Sequence, residues 1–386
     1  MMIEQIQERL QQVISHFENG NENLGFRMLV DVILDSEDVT NYQHCIDLVS
    51  WHEQHKEDVE AYRKRVFDLV EKLREQSFAI DTSHQLLIKA EGIEKKYAKQ
   101  SFSLGPISFE IHAGELIGLV GENGNGKTTL LRILASDLKA NQGVITYPAL
   151  RNDVDLYEMR TKLTYIPQRT PKWYGSVKDN LKFTATHYGI APHINESLVL
   201  MWMIRFGLWQ FRNHKWDELS SGYKMRFELA RTFLRRPQLL LLDEPLANLD
   251  IVSQQLILED LKMLGKSLRH PLGIMLSSQQ LYEVEKVSDE VIFLKNGKPS
   301  SFNHLKNKQD ESSLLVIEIE IENTKEDLVA AIGEDKISQI KLLGSNYYIE
   351  LNNMHVIELF HQLSTAKIEV KYFRNISEST RRFFNV

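Results

Sequence analysis

The stretch Gly121-Glu122-Asn123-Gly124-Asn125-Gly126-Lys127-Thr128 lies between an apolar run, Glu115 to Val120, and a helical pattern, Leu130-Leu131-Arg132-Ile133-Leu134. A chain with this order turns sharply from a strand into a helix. Glycines at such a turn let the backbone wrap closely enough for successive N–H groups to face an anion, and the helix N-terminus adds partial positive charge. Lys127 supplies a point charge for the outer phosphates of a nucleotide and Thr128 offers a hydroxyl to magnesium. Gly121, Asn123, Gly124, Asn125, Gly126 and Thr129 complete the expected cradle. The bland alternative is a glycine-rich turn, and the strand before it and helix after it argue against that.

The rest of the chain has room for more than this element. Its 386 residues exceed one typical core and suggest two or three domains. A net charge of -7 gives no global attraction to nucleic acid or anionic lipid. A basic stripe with interleaved aromatics is also missing, since Lys95-Lys96 with Lys99 is too short, so no nucleic-acid partner is expected. The single cysteine, Cys45, allows no internal disulfide, and Met1-Met2-Ile3-Glu4-Gln5 lacks a secretory pattern, so reducing cytoplasm is the expected compartment. No apolar run approaches the ~20 residues that span a bilayer. Action at a membrane would need a partner to supply the membrane part.

Three textures divide the sequence. Residues 1–82 read as helices, with Ile3, Ile6, Leu10, Val13, Ile14 and Phe17 at helical spacing and Tyr62, Val66, Leu69, Val70 and Leu73 as the last apolar stripe. A small bundle packing its own core and a partner-docking face are both open for this region. Residues 86–300 alternate short apolar strands with helices, the pattern of a mostly parallel sheet covered by helices. Gln85 to Ala90 and Phe102 to Ile111 form an antiparallel edge, and roughly 172–232 is a more helical insertion. Residues 312–386 predict strand, helix, two strands, helix, strand, the order of a ferredoxin-like α+β domain, then a short helix from Glu378 to Phe384. The mixed-charge run Lys306 to Glu311 reads as a solvated linker.

A second chemical constellation follows the insertion. Leu239-Leu240-Leu241-Leu242 has the composition of a fully buried strand and ends abruptly in Asp243-Glu244. At the carboxyl end of a parallel strand beside the phosphate loop, Asp243 faces the magnesium shell and Glu244 polarises a water for attack on the terminal phosphate. Alone, the pair reads as two solvated acids opening a turn before Pro245.

With these motifs in order, residues 86–300 resemble the nucleotide-binding domain of ABC ATPases. The resemblance implies a P-loop α/β core with an antiparallel edge subdomain, ATP and Mg2+ as ligands, and ATP hydrolysis coupled to transport. It assigns Tyr97 to adenine stacking, with core packing as the alternative. It makes Gln168 the Q-loop glutamine, which contacts magnesium and water beside the docking site of an integral membrane permease. Leu219-Ser220-Ser221-Gly222-Tyr223 resembles the signature segment, which in relatives covers the nucleotide held by a second subunit. The implied assembly is a head-to-tail homodimer. Ala247-Asn248-Leu249-Asp250 resembles the D-loop crossing that interface, although Asp250 also reads as a plain helix cap.

The pattern is broken in two places. The strand Gly273 to Ser278 should end in a switch histidine, and this chain has Gln279. Its amide can reach a terminal phosphate but never carries positive charge or relays a proton. Slow but real hydrolysis is therefore expected. Tyr223 stands where glutamine is commoner and removes one amide contact. The leading expectation is an energy-coupling ATPase on the cytoplasmic face of a membrane, driving separately encoded permease subunits. The alternative is a soluble nucleotide-gated protein with slow ATPase acting on a cytosolic partner.

Overall fold

A computed structural model describes residues 2–97, 102–149, 156–300 and 314–377. Lys99, the 306–311 run and the helix expected over 378–384 lie outside the described residues. Residues 1–300 pack as one compact unit and residues 301–386 as another.

The first unit begins with helices α1 (Met2–Glu18), α2 (Glu22–Ser36), α3 (Val39–Gln54) and α4 (Val59–Arg74). Their apolar stripes meet in a shared interior, where Ile6, Leu10, Leu29, Val66 and Leu73 are buried and Phe17 packs edge-on against Phe67. Asp38 and Asp58 cap α3 and α4 by accepting the Thr40 and Ala61 amides, each cap contributing about 1 kcal/mol.

Two sheets follow. The antiparallel edge comprises β1 (Leu86–Lys96), β2 (Ser103–His112) and β4 (Gln142–Thr146), in the order β2-β1-β4. The main sheet is built from β3 (Leu116–Val120), β5 (Leu163–Ile166), β6 (Leu239–Leu242), β7 (Gly273–Ser278), β8 (Glu290–Lys295) and β9 (Lys298–Ser300), in the order β5-β6-β7-β3-β8-β9. All neighbours are parallel except the edge pair β8 and β9. The leucines of β6 are buried throughout, as a strand covered on both faces requires. The register is decisive for chemistry: Leu242 lies opposite Leu276, and Val120 opposite Ser278. The carboxyl ends of β5, β6, β7 and β3 therefore share one rim, which is where open α/β sheets place ligands.

Helices α5 (Lys127–Leu134), α6 (Leu156–Lys162), α10 (Ile251–Gly265) and α11 (Leu281–Glu285) belong to this core, while α7 (Val177–His187), α8 (Pro192–Arg205) and α9 (Ser221–Phe233) form the helical insertion. In α8 the residues Leu198, Val199, Met201, Met203 and Ile204 are all buried, a pattern too wide for a helix covered on one side. The N-terminal helices supply the other side, with α2 and α3 packed on α8.

That contact is also ionic. Arg205, fully buried at the end of α8, donates through Nε (2.5 Å) and Nη2 (3.1 Å) to Asp31 of α2 and through Nη1 to Asp260 of α10 (2.5 Å). Arg27 joins Asp260 and Glu259 at 2.8 Å each. Asp35 accepts from Ser267 Oγ (2.6 Å) and the Leu268 amide (2.9 Å). The N-terminal helices thus grip both the insertion and the core.

The second unit has β10 (Leu314–Ile321), α12 (Lys325–Ile332), β11 (Ile337–Leu343), β12 (Asn346–Asn352), α13 (Val356–Thr365) and β13 (Val370–Asn375). Its sheet runs β11-β12-β10-β13, antiparallel at every contact. Period-two alternation sets its two faces: Leu315, Ile317 and Ile319 pack with Leu328, Leu359 and Leu363 of the helices, and Val316 packs with Tyr348 on the opposite face. Among the described residues no helix is long and apolar enough to cross a membrane.

Candidate functional site

The rim of the main sheet brings together the phosphate loop after β3, Asp243 and Glu244 after β6, and the segments that carry Gln168 and Gln279 after β5 and β7. The 121–126 turn leaves β3 and enters α5, with Gly124 at φ 84° and Gly126 at φ 97°. These are left-handed conformations that residues with a Cβ rarely adopt. Space imposes the same choice at Gly126, where a Cβ would lie 2.7 Å from Leu104 Cδ1 and 3.0 Å from the Phe102 ring. The loop is anchored at both shoulders: the Gly121 amide donates to the Ser278 carbonyl (3.3 Å), and Asn125 Oδ1 accepts from the Asn296 amide (2.9 Å). Glu122, Asn123, Gly124 and Thr128 are exposed on its outer side.

Lys127 is the buried exception. Its Nζ donates to the carbonyls of Gly121 (2.7 Å) and Glu122 (3.2 Å) and stands 3.0 Å from Glu244 Oε1. The contact with Glu244 lies off the hydrogen-bonding direction, so this buried carboxylate oxygen accepts no hydrogen bond. An ammonium hydrogen-bonded to two carbonyls and an acid whose facing oxygen accepts no hydrogen bond form a pair whose members each gain from a further ligand. A phosphate chain with its magnesium and an attacking water are ligands of that kind, so the residues present fit Mg2+ and ATP.

Asp243 and Glu244 end β6 as the sequence predicted, but their environment is tighter than a turn of solvated acids. Asp243 is buried, its Oδ1 accepting from Ser277 Oγ (2.8 Å) and its Oδ2 from the Tyr165 hydroxyl (3.2 Å). Burial, and then the Asp243 carboxylate, push the Tyr165 phenol far above its usual range, so it stays protonated and donates. Glu244 adopts φ 50°, a left-handed conformation for a bulky residue, which costs about 1–3 kcal/mol and is concentrated at functional sites. Its amide donates to Ser277 Oγ at 2.9 Å. Sequence reasoning missed both Ser277 and Tyr165. For Ser277 the available signal was the pair of serines closing the otherwise apolar β7; Tyr165 lies inside β5, between Thr164 and Ile166, and carried no comparable signal.

Of the other predicted residues, Tyr97 touches the phosphate-loop helix, whereas Ser220, Ser221, Gly222 and Asp250 form a separate group with partners of their own. Tyr97 flanks the loop, its hydroxyl 3.4 Å from Thr129 Oγ1. Gln168 is exposed two residues past the end of β5, and Gln279 is exposed immediately past β7. Ser220 caps α9, accepting from the Tyr223 amide at 3.5 Å. Ser221 Oγ donates to the Asn248 carbonyl (3.0 Å), and Gly222 is buried against Ser253. Asp250 caps α10, accepting from the Ser253 amide (2.9 Å) and hydroxyl (2.6 Å). These Ser253 hydrogen bonds hold the Asp250 carboxyl below its ordinary range. The Tyr223 ring turns toward Phe211, 4.3 Å between centroids. Ser220, Ser221 and Asp250 thus sit together on one exposed surface.

A family model described as ABC transporter matches residues 104–247. An uncharacterised ABC transporter ATP-binding protein of Methanocaldococcus jannaschii is 32% identical over 215 residues, 55% of this chain and 75% of that one. The ABC transporter ATP-binding protein NatA of Bacillus subtilis is 32% identical over 200 residues, 50% of this chain and 77% of that one. Among solved structures, cbiO1 of Clostridium perfringens, part of the ABC transporter complex cbiONQ, superposes with a TM-score of 0.52 at 24% identity, covering 56% of this chain and 87% of that one. At that identity the likeness concerns the fold.

Proposed function

This chain belongs to the ABC transporter ATP-binding cassette family, and from that premise we propose that it hydrolyses ATP as a head-to-tail pair to drive separately encoded permease subunits. It is the ATP-binding subunit of an ABC transporter. The observation that carries the finer reading is the meeting of Lys127 and Glu244 at 3.0 Å, which joins the phosphate loop to the acid that ends β6.

In this reading Lys127 and the amides of residues 121–128 bind the phosphates, and Tyr97 stacks on the base. Magnesium would be held by Thr128, Gln168 and Asp243, where it neutralises charge on the phosphate oxygens. Glu244 is the general base: once Lys127 turns to phosphate, its unsatisfied oxygen is free to accept a proton from water. Gln279 offers its neutral amide to the terminal phosphate. Ser220, Ser221 and Gly222, presented at the start of α9, cover the nucleotide of the second copy, and Asp250 faces the same interface. ATP then favours the closed pair and hydrolysis releases it. The exposed Gln168 and the neighbouring Tyr174, 81% exposed, mark the side where a permease docks, on the cytoplasmic face of the membrane. We read residues 1–82, 86–300 and 312–386 as three domains, the last ferredoxin-like on the strength of its strand order.

Gln279 favours a second reading, a nucleotide-gated protein with slow turnover acting on a cytosolic partner. One variant tests the chemistry common to both. Glu244→Gln is expected to bind ATP as the native chain does, to lose roughly 100-fold or more of phosphate release, and to accumulate a dimer on ATP in size-exclusion chromatography. Undiminished hydrolysis removes Glu244 from the role of base. Copurification with a multi-span protein separates the transport reading from the soluble one.

A further inference from the structure

Ser277 is fully buried at the end of β7 and touches both acids of the site, yet none of the roles assigned above uses it. Its hydroxyl carries one hydrogen. The Glu244 amide can only donate, so Ser277 Oγ must accept there (2.9 Å), and its own hydrogen goes to Asp243 Oδ1 (2.8 Å). The Tyr165 hydroxyl donates to the other oxygen, Asp243 Oδ2, at 3.2 Å. A carboxylate held by separate donors on its two oxygens cannot rotate about its last torsion. The remaining lone pairs keep a fixed direction. The same Ser277 oxygen also pins the backbone of Glu244 in the left-handed conformation at φ 50°, a conformation that persists only where its surroundings over-determine it.

We propose that Ser277 and Tyr165 are positioning residues for the Mg2+–ATP reaction, Ser277 setting the metal-side acid and the base together and Tyr165 locking the acid from the opposite side. The inference rests on the assignment of Asp243 to the magnesium shell and Glu244 to the base. Groups that orient metal-side carboxylates typically govern roughly 10–100-fold in metal affinity or activity. The amides and lysine of the phosphate loop are untouched by either residue, so ATP without metal should bind unchanged.

The experiment compares the full-length native chain with Ser277→Ala, Ser277→Thr and Tyr165→Phe. Binding of a fluorescent ATP analogue is measured without metal and across a Mg2+ titration, Mn2+ affinity is measured with a non-hydrolysable analogue bound, and steady-state phosphate release is followed alongside. Ser277→Ala and Tyr165→Phe are expected to keep metal-free nucleotide affinity within about twofold, to need roughly 10–100-fold more metal, and to lose kcat more than KM. Ser277→Thr, which keeps the hydroxyl, is expected to restore the metal dependence. Native metal dependence in both hydroxyl-deleted variants overturns the proposal. An equal loss of metal-free and metal-dependent binding also overturns it, because that marks a structural effect. If thermal melting shows that Ser277→Ala does not fold, Tyr165→Phe decides alone. A native chain that takes up no ATP at all refutes the nucleotide site itself, a result distinct from either.

Discussion

Arg205 offers the most quantitative test of how the N-terminal helices are held. Changing it to methionine keeps an unbranched chain of similar length and removes the guanidinium. Asp260 retains Arg27 at 2.8 Å, but Asp31 loses both of its Arg205 hydrogen bonds, at 2.5 and 3.1 Å. Breaking a buried pair by removing one partner costs about 3–5 kcal/mol. The Asp31 side chain keeps 15% exposure, so some hydration survives and the lower end, about 3 kcal/mol, is expected. The assay is urea unfolding followed by tryptophan fluorescence, with Trp202 on α8 as a nearby reporter. Burial already raises the Asp31 carboxyl, against the pull of Arg205. Without Arg205 it rises further, so the folded state holds an extra proton and the penalty shrinks as pH falls. A companion Asp31→Leu change deletes the orphaned charge and is expected to recover most of the loss, since apolar replacement of a buried pair is often neutral. A single-variant cost below about 1 kcal/mol, or a double variant no better than the single one, refutes the reasoning.

Asp35 gives a pH signature of its own. Burial raises its carboxyl from 3.8 to about 6, against hydrogen bonds from Ser267 and Leu268. Its folded pKa exceeds the unfolded one, so the folded state binds the extra proton and stability falls as pH rises from about 4 to 6, by on the order of 3 kcal/mol. Asp35→Asn is expected to remove this slope, read from urea midpoints at pH 4.5 and 6.5, and an unchanged slope contradicts it. At the rim, Gln279→His is expected to speed steady-state phosphate release by roughly tenfold or more, since a charge-stabilising donor is commonly worth a hundredfold and the amide already supplies part of it. A variant no faster than the parent shows that the substitution is already compensated.

What could be read in advance depended on whether the cause was local. The phosphate loop is contiguous, and each of its features, from the glycines at positive φ to the lysine opening α5, is written in adjacent residues. The caps at Ser220 and Asp250 are local too, and so is the alternation of Leu315, Ile317 and Ile319 that builds the second unit. Ser277 was invisible because its partners lie across the sheet, 33 and 34 residues earlier in the chain. A serine ending an apolar strand looks like any strand end until the register sets it beside Asp243. The ionic centre is a harder case, since Asp31 and Arg205 are 174 residues apart. There was one hint: Asp31 and Asp35 interrupt the apolar run Leu29-Val30-Asp31-Val32-Ile33-Leu34-Asp35, on the face of α2 that should be dry. Acids so placed need cations from elsewhere.

The loop after Glu244 carries a further implication. Asn248, four residues beyond Glu244, takes the Ser221 hydroxyl on its carbonyl, and Gln254 Nε2 fastens the same loop at the Leu246 (3.2 Å) and Leu249 (3.1 Å) carbonyls. A segment tied at so many points behaves as a short stiff lever. In the proposed head-to-tail pair, a shift of Glu244 on hydrolysis would pass through this loop to the serines that face the other nucleotide, and the two chains would have no means of keeping their clocks independent.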